Sequence, residues 1–148
     1  MNEELDRIAQ EIRACQRCPL RAGATQPVPG FGPDQVRYVL IGEAPGKQED
    51  EAGIPFVGAA GRRLDKLMDL AQMDMNTVYL TNVCRCRPPD NRVPKKKEIN
   101  ACKPFLFREL RILKPEYIIT LGRTPLGLFS TSGVNQMHGT MIDVEIPE

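Results

Sequence analysis

Three short, mainly apolar runs, each followed by a small or polar residue, constrain the fold of this chain more than any other feature. They are residues 38–41 (YVLI), 78–83 (VYLTNV) and 117–122 (YIITLG). A nearly continuous apolar run of this length is typical of a parallel strand that is buried on both faces. Segments with helical spacing of apolar residues separate the runs. This alternation predicts an α/β fold, in which helices cover both faces of a short central parallel sheet in three layers.

The helical segments follow from the spacing of the apolar residues. A first helix includes Leu5, Ile8 and Ile12 and ends before Cys15. Further helices are predicted over about 60–73, 96–112 and 123–130. The helix over about 60–73 is expected to carry four apolar residues on one face: Leu64, Leu67, Met68 and Ala71. Residues 19–36, 47–58 and 84–96 are rich in proline, glycine or charge and predict loops.

Length and charge limit the class of protein. A chain of 148 residues predicts one domain, over residues 1–148. Twenty basic and nineteen acidic side chains give a net charge of +1, which excludes a polybasic tail protein but allows a local basic patch. No segment has the roughly 20 apolar residues of a membrane span, and the acidic N-terminus lacks the apolar stretch of a signal peptide. We therefore expect a cytoplasmic protein without a membrane partner.

The five cysteines suggest a metal centre. Disulfides are rare in a reducing compartment, so metal binding or catalysis better explains their number. Cys15 and Cys18 form a C-x-x-C pair, whose spacing lets both thiolates reach one centre. Together with one of Cys84 or Cys86, and with Cys102, they would supply four ligands, and buried free thiols are the alternative. Zinc accepts four cysteines too, but the wide spacing of the second pair favours a [4Fe–4S] cluster.

Residues suited to binding a small planar ligand follow the strands, at the edge where parallel sheets bind ligands. Residues 42–46 (GEAPG) form a segment rich in small residues, which lets backbone amides approach an anion, although a tight turn needs the same residues. Glu49 could activate water, or be a solvated charge. Phe56 could stack on a planar ligand or plug the core. The Asn82 amide could bond the edge of a pyrimidine or cap the next loop.

One dense basic segment could contact nucleic acid. It contains Arg85, Arg87, Arg92 and the lysines at 95–97. Such a patch can hold phosphates, whereas a run of lysines could equally be the solvated start of a helix. We therefore expect Arg87 and Arg92 to be the phosphate contacts.

Several of these segments also match one known family. The most specific is residues 42–64, GEAPGKQEDEAGIPFVGAAGRRL. Shorter matches lie at 15–20 (CQRCPL), 28–32 (VPGFG), 81–83 (TNV), 86–92 (CRPPDNR), 101–106 (ACKPFL) and 114–115 (KP). Together they cover nearly the whole chain, which resembles the family 4 uracil-DNA glycosylases, the iron–sulfur branch of the uracil glycosylase superfamily.

The resemblance implies a set of site residues. It places a [4Fe–4S] cluster on Cys15, Cys18, Cys86 and Cys102 and leaves Cys84 as the spare. It places the uracil pocket at the backbone of Gly42, Glu43 and Ala44, with Phe56 stacked on the base and Asn82 reading its edge. Either Glu43 or Glu49 would position the attacking water.

The resemblance also implies an activity. A protein of this family is a DNA N-glycosylase, a hydrolase that cleaves the N-glycosidic bond of deoxyuridine and so starts base excision repair. The uracil would be flipped out of a duplex or taken from single-stranded DNA. The partner would be uracil-containing single- or double-stranded DNA, the protein would act as a monomer, and DNA would hold it at the nucleoid.

The family's second motif has no match here. Family members carry His-Pro, a small residue and paired leucines after a fourth strand, and this chain has only His138, which Gly139 and Thr140 follow. The catalytic role is not transferred to His138, for which a surface or turn position is expected. We expect a fold that lacks the C-terminal part of the family domain. The alternatives to an active enzyme are a shortened chain, or an impaired relative that binds uracil or single-stranded DNA.

Overall fold

The computed structural model describes residues 2–137 and 139–146. Its helices and strands alternate as the sequence predicts. The helices are α1 (Glu3–Arg13), α2 (Leu20–Gly23), α3 (Lys47–Ala52), α4 (Ala59–Leu70), α5 (Lys96–Leu113), α6 (Arg123–Leu126) and α7 (Val134–Met137). The strands are β1 (Tyr38–Gly42), β2 (Val78–Asn82) and β3 (Tyr117–Thr120). Short 3₁₀ turns occupy Met75–Thr77 and Pro89–Asn91.

The sheet is parallel and has the strand order β2-β1-β3. β1 lies in the centre, where Leu40 pairs with Leu80 on one side and Ile119 on the other. The outer edge of β2 is covered by Phe31, whose backbone exchanges two hydrogen bonds of 2.8 Å with Leu80. Because all three strands are parallel, their carboxyl ends meet at one edge of the sheet.

Helices cover both faces of the sheet, which confirms the three-layer prediction. On one face Val39 and Ile41 pack with α1 and α5 in a cluster that includes Ile8 and Phe105. On the other face Leu40, Val78 and Leu80 pack against Leu64 and Met68 of α4. Successive side chains of β1 therefore point to opposite faces of the sheet and pack into two separate apolar layers.

Some local predictions are wrong. Residues 47–58 include α3, and residues 19–36 include α2, although both segments were expected to be loops. Leu67 of α4 is 60% exposed, so the buried face of α4 is narrower than expected. The helix expected over 123–130 has only four residues. Within the described residues, no helix is both long enough and apolar enough to cross a membrane.

Candidate active site

Three residues meet at the carboxyl end of β1. Gly42 ends this strand, Asn82 ends the neighbouring strand, and Phe56 reaches them from the loop between α3 and α4. A Cβ atom placed on Gly42 would lie 2.5 Å from Asn82 Oδ1 and 2.7 Å from Phe56 Cζ. The amide of Asn82 and the ring of Phe56 therefore pack directly against the α-carbon of Gly42, in a position that a larger residue would occupy with its side chain. The sequence named these three residues, and the structure brings them together.

Phe56 is held in an unusual backbone conformation. Its φ angle is +57°, in the left-handed region that a bulky residue rarely adopts. Gly61, in the first turns of α4, permits this arrangement, since a Cβ atom there would lie 1.9 Å from the Phe56 carbonyl oxygen. The close approach of α4 to the backbone of Phe56 therefore fixes the position from which the phenyl ring extends.

Glu49 holds the same loop together. Its Oε1 accepts a hydrogen bond of 3.1 Å from the backbone N–H of Gly46. Its Oε2 accepts bonds of 2.9 Å from Val57 and 2.6 Å from Gly58. Both carboxylate oxygens are therefore engaged by backbone donors, two of them immediately after Phe56. With both oxygens engaged in this way, Glu49 is better suited to positioning the loop than to holding a water molecule.

Glu43 lies one residue beyond Gly42 and is half-buried. Its Oε2 accepts a hydrogen bond of 2.7 Å from the hydroxyl of Thr124, at the start of α6. Among the described residues, its Oε1 has no protein partner. The Thr124 contact ties the end of β1 to the segment after β3 and leaves one carboxylate oxygen beside Gly42. Ala44, the next pocket residue proposed from sequence, is half-buried against the α1–α5 side of the core.

The backbone pairing of β1 with β2 continues past both strands. The N–H of Val83 donates to the carbonyl of Gly42 at 2.9 Å, and that of Cys84 donates to the carbonyl of Glu43 at 3.0 Å. The pocket residues are therefore bonded directly to the start of the cysteine-containing loop.

All five cysteines line one cavity. The cavity lies where the end of α1, the loop after β2 and the first turns of α5 meet. Three arginines, Arg17, Arg21 and Arg85, also line it, and no carboxylate does so in the part of the chain that the structure describes. No three histidine, cysteine or carboxylate side chains within 2–137 and 139–146 form a group that could hold a single metal ion.

The thiols in this cavity differ in their environments. The Cys84 thiol hydrogen-bonds to the sulfur of Cys102, which raises the pKa of Cys84 and lowers that of Cys102. The backbone N–H of Arg85 also donates to Cys102 Sγ, at 3.2 Å. Burial raises the pKa of Cys86 to about 12. Cys84 and Cys86 both line the cavity, so its geometry does not choose between them.

A buried charge network supports this region, and the sequence reading missed it. Arg85 and Glu109 are each 2% exposed and form a two-pronged ion pair, with N–O distances of 2.5 and 3.1 Å. Glu109 also accepts hydrogen bonds from the hydroxyls of Thr81 (2.9 Å) and Tyr79 (3.2 Å). Burial and the neighbouring Glu109 raise the pKa of Tyr79, which stays a neutral donor. The sequence did contain one sign of this network, because Glu109 lies among the apolar residues of the buried face of α5.

The expected phosphate contacts lie on the loop between β2 and α5. Arg92 makes a two-pronged ion pair with Glu98 at 2.8 and 2.9 Å, so most of its guanidinium is already engaged. The Nε of Arg87 donates to Asn91 Oδ1 at 2.8 Å, which leaves its terminal nitrogens available. His138 lies outside the described residues.

Comparison with known proteins gives a consistent result. The model of the "Uracil DNA glycosylase superfamily" matches residues 29–144. A type-4 uracil-DNA glycosylase of Sulfurisphaera tokodaii is 42% identical over 135 residues, which cover 90% of this chain and 61% of that protein. A type-4 uracil-DNA glycosylase of Thermotoga maritima is 37% identical over a region that covers 95% of this chain and 75% of that protein. A type-5 uracil-DNA glycosylase of Thermus thermophilus is 35% identical over a region that covers 82% of this chain and 71% of that protein.

The chain is shorter than these proteins. It spans 61% of the length of the Sulfurisphaera protein and 56% of a type-4 relative from Saccharolobus solfataricus. Residues 29–144, which the family model matches, include the loop that carries Phe56, the carboxyl ends of the strands and the cysteine-containing loop after β2.

Proposed function

The chain belongs to the uracil DNA glycosylase superfamily and groups with its type-4 members, and we propose that the protein removes uracil from DNA. The reaction is hydrolysis of the N-glycosidic bond between uracil and deoxyribose. The base would enter the pocket from single-stranded DNA, or after rotation out of a duplex. Starting repair in this way would place the protein on the nucleoid in the cytoplasm, and nothing in the reaction requires more than a monomer.

The convergence of Gly42, Phe56 and Asn82 carries the proposal. A flat base needs an aromatic face and a polar edge, and Phe56 and Asn82, which meet at Gly42, supply these two groups. An asparagine amide offers one acceptor and two donors, which match the O4 and N3–H edge of uracil. A glycine at the centre lets the base approach the backbone closely.

The two glutamates would have different roles. With one oxygen bonded to Thr124 and the other without a protein partner, Glu43 would orient the water that attacks the anomeric carbon. Glu49, which binds three backbone N–H groups, would be a positioning residue for the loop that carries Phe56. The amides of residues 42–44 would stabilise the negative charge that develops on the departing base.

The cysteine cavity suits an iron–sulfur cluster. Its donor set is rich in thiols and free of carboxylates, and three arginines offset the negative charge of a thiolate-bound cluster. The Nε of Arg85 is a buried donor with no protein partner, which an acceptor in this cavity could satisfy. A [4Fe–4S] cluster binds each thiolate at a separate iron, so its ligands can surround a cavity, whereas zinc needs all four on one ion. These features favour the cluster over zinc.

Cys15, Cys18, Cys86 and Cys102 would hold the cluster. When bound, it would supply no chemistry to base removal and would shape the loop that follows β2. That loop then presents Arg87 and Arg92 toward the DNA phosphates, with Arg87 the better available of the two.

A pair of glycine substitutions tests the proposal. In Gly42→Ala the new Cβ atom would displace the ends of the Asn82 and Phe56 side chains, whereas in Gly23→Ala it would meet nothing within 4 Å. We expect Gly23→Ala to release uracil from a single-stranded oligonucleotide at the wild-type rate. We expect Gly42→Ala to keep the fold, seen by circular dichroism, and to lose at least tenfold in kcat/KM. Equal rates for the two variants would contradict the assigned pocket.

A second candidate is a protein that binds uracil without cleaving the bond. The contact of Phe56 and Asn82 at Gly42 supports it, because an aromatic face and an amide edge suffice to hold a base without cleaving its bond to the sugar. Binding to a uracil-containing oligonucleotide that is tighter than binding to its thymine counterpart, with no alkali-sensitive abasic sites, would identify it.

A further inference from the structure

A basic groove separates α5 from α6. Lys96 and Lys103 line it from α5, and Arg123 and Thr124 line it from α6. Arg111 lies at its far end, and none of the described residues that line the groove is acidic. The half-buried Phe107 and Leu128 form an apolar part of its wall. We call this feature the α5–α6 groove.

The sequence of α5 explains why the groove is basic. Lys96, Asn100 and Lys103 recur at i, i+4 and i+7, so they share one face of the helix. The other stripe, which includes Cys102 and Phe105, is buried against the sheet. At 1.5 Å per residue, the two lysines are about 10 Å apart along the helix axis, a span that two or three successive phosphates of one strand can cover.

The groove begins beside the candidate pocket. Thr124 lines the groove, and its hydroxyl donates to Glu43, the residue after Gly42. Arg123 lies three residues beyond the end of β3, on the side of the sheet where the strands have their carboxyl ends. A DNA strand whose base occupies the pocket could therefore continue into the groove without crossing the body of the protein.

Three of the groove cations, Lys96, Lys103 and Arg123, lack acidic partners among the described residues, unlike several arginines elsewhere in the chain. Four arginines form ion pairs with glutamates: Arg37 with Glu116, Arg85 with Glu109, Arg92 with Glu98 and Arg108 with Glu11. In the part of the chain that the structure describes, Lys96, Lys103 and Arg123 have no such partner. Their charges are therefore available to an anionic ligand.

We propose that the α5–α6 groove binds the sugar–phosphate backbone of the DNA strand that flanks the base in the pocket. This inference rests on the proposed function and extends it, because it assigns the flanking strand a path of its own. The phosphate contacts expected from the sequence were Arg87 and Arg92. The groove adds Lys96, Lys103 and Arg123, two of which lie outside the basic segment that the sequence singled out.

The salt dependence of DNA binding tests the proposal. We would measure the affinity for a fluorescein-labelled, uracil-free single-stranded oligonucleotide by anisotropy over a range of NaCl concentrations. Each lost phosphate contact should reduce the slope of log K against log [salt] by about 0.7 for a single strand. The variant Lys103→Gln/Arg123→Gln should therefore lose about 1.4 from the slope and bind several-fold more weakly at low salt.

A matched control separates this effect from net charge. Arg7 and Lys114 are exposed in a cleft of mixed charge, near the start of α1 and the end of α5. Arg7→Gln/Lys114→Gln removes the same two residue types and should leave the slope at its wild-type value. Both double variants should unfold at the wild-type temperature.

The outcomes distinguish this proposal from the function on which it rests. If the wild-type protein releases uracil and the groove variant keeps the wild-type slope, the groove is refuted and the function stands. If the groove variant loses thermal stability while keeping its slope, another part of the protein occupies the groove, and the proposal again fails. If the wild-type protein neither binds DNA nor releases uracil, the proposed function itself fails.

Discussion

Replacing Glu109 with Gln should destabilise this protein more than most single substitutions. Glu109 accepts four hydrogen bonds, two from Arg85 and one each from Tyr79 and Thr81, and Arg85 is as deeply buried as Glu109 itself. Glutamine has one acceptor oxygen and would turn an NH₂ group toward the donors. The variant leaves an uncompensated positive charge in the interior.

The structure allows the size of the effect to be worked out. Removing one partner of a buried ion pair costs about 3–5 kcal/mol. Unfolding entropy is about 2.1 cal/mol/K per residue, or roughly 0.3 kcal/mol/K for 148 residues. The melting temperature of Glu109→Gln should therefore fall by about 10–16 °C.

Removing both charges should cost less than removing one. In Arg85→Met/Glu109→Leu no charge is left unpaired, and such exchanges are often neutral or stabilising. The hydroxyls of Tyr79 and Thr81 lose an acceptor, at about 1 kcal/mol each, which is less than the cost of the single variant. Thermal unfolding followed by far-ultraviolet circular dichroism measures both variants, and visible absorbance reports any bound cluster.

Two results would refute this reasoning. A fall of less than about 3 °C for Glu109→Gln would mean that the interior tolerates the unpaired Arg85 charge. A double variant as unstable as the single one would mean that packing around the network, and not charge, determines its contribution.

Three further predictions concern the pocket and the loops around it. Arg92 holds the pKa of Glu98 at about 2, below its ordinary 4.5, so this carboxylate stabilises the fold above pH 4.5 and loses that contribution as the pH falls toward 2. Urea unfolding midpoints of Arg92→Gln should therefore depend less on pH in this window than those of the wild type. Gly61→Ala places a Cβ atom 1.9 Å from the Phe56 carbonyl oxygen, so it should impair uracil release more than Gly23→Ala in the same assay. Cys86→Ser should abolish the visible absorbance of the cluster while Cys84→Ser retains it, and the reverse pattern would exchange their roles.

The sequence predicted the parts of the fold that depend on apolar periodicity. The three strands and the long helices are regular because their apolar residues recur at fixed spacing. Helix α3 escaped this reasoning because its first turn is held by polar contacts. Glu49 bonds the N–H of Gly46, and the buried Asp50 accepts the N–H of Thr25 at 2.9 Å from a distant loop.

The candidate site was predicted less evenly. Gly42 and Asn82 could be singled out because they lie at the ends of predicted strands, and Phe56 because it is an aromatic residue in a glycine-rich loop. The hydrogen bonds from which we infer a positioning role for Glu49 could not be predicted, because their backbone donors lie eight and nine residues away. The groove was also missed, since Lys103 and Arg123 come together only when α5 and α6 pack side by side.

The continued pairing of β1 with β2 has a consequence for local unfolding. The amides of Val83 and Cys84 are bonded to the carbonyls of Gly42 and Glu43, so the cysteine loop cannot detach without freeing the pocket backbone. The two regions should then open as one cooperative unit. In hydrogen–deuterium exchange, these two amides would lose protection together, and at the same rate as the amides around Gly42. Damage to the cysteine cavity should therefore increase the mobility of the backbone at Gly42 and Glu43 under conditions in which the rest of the sheet is still folded.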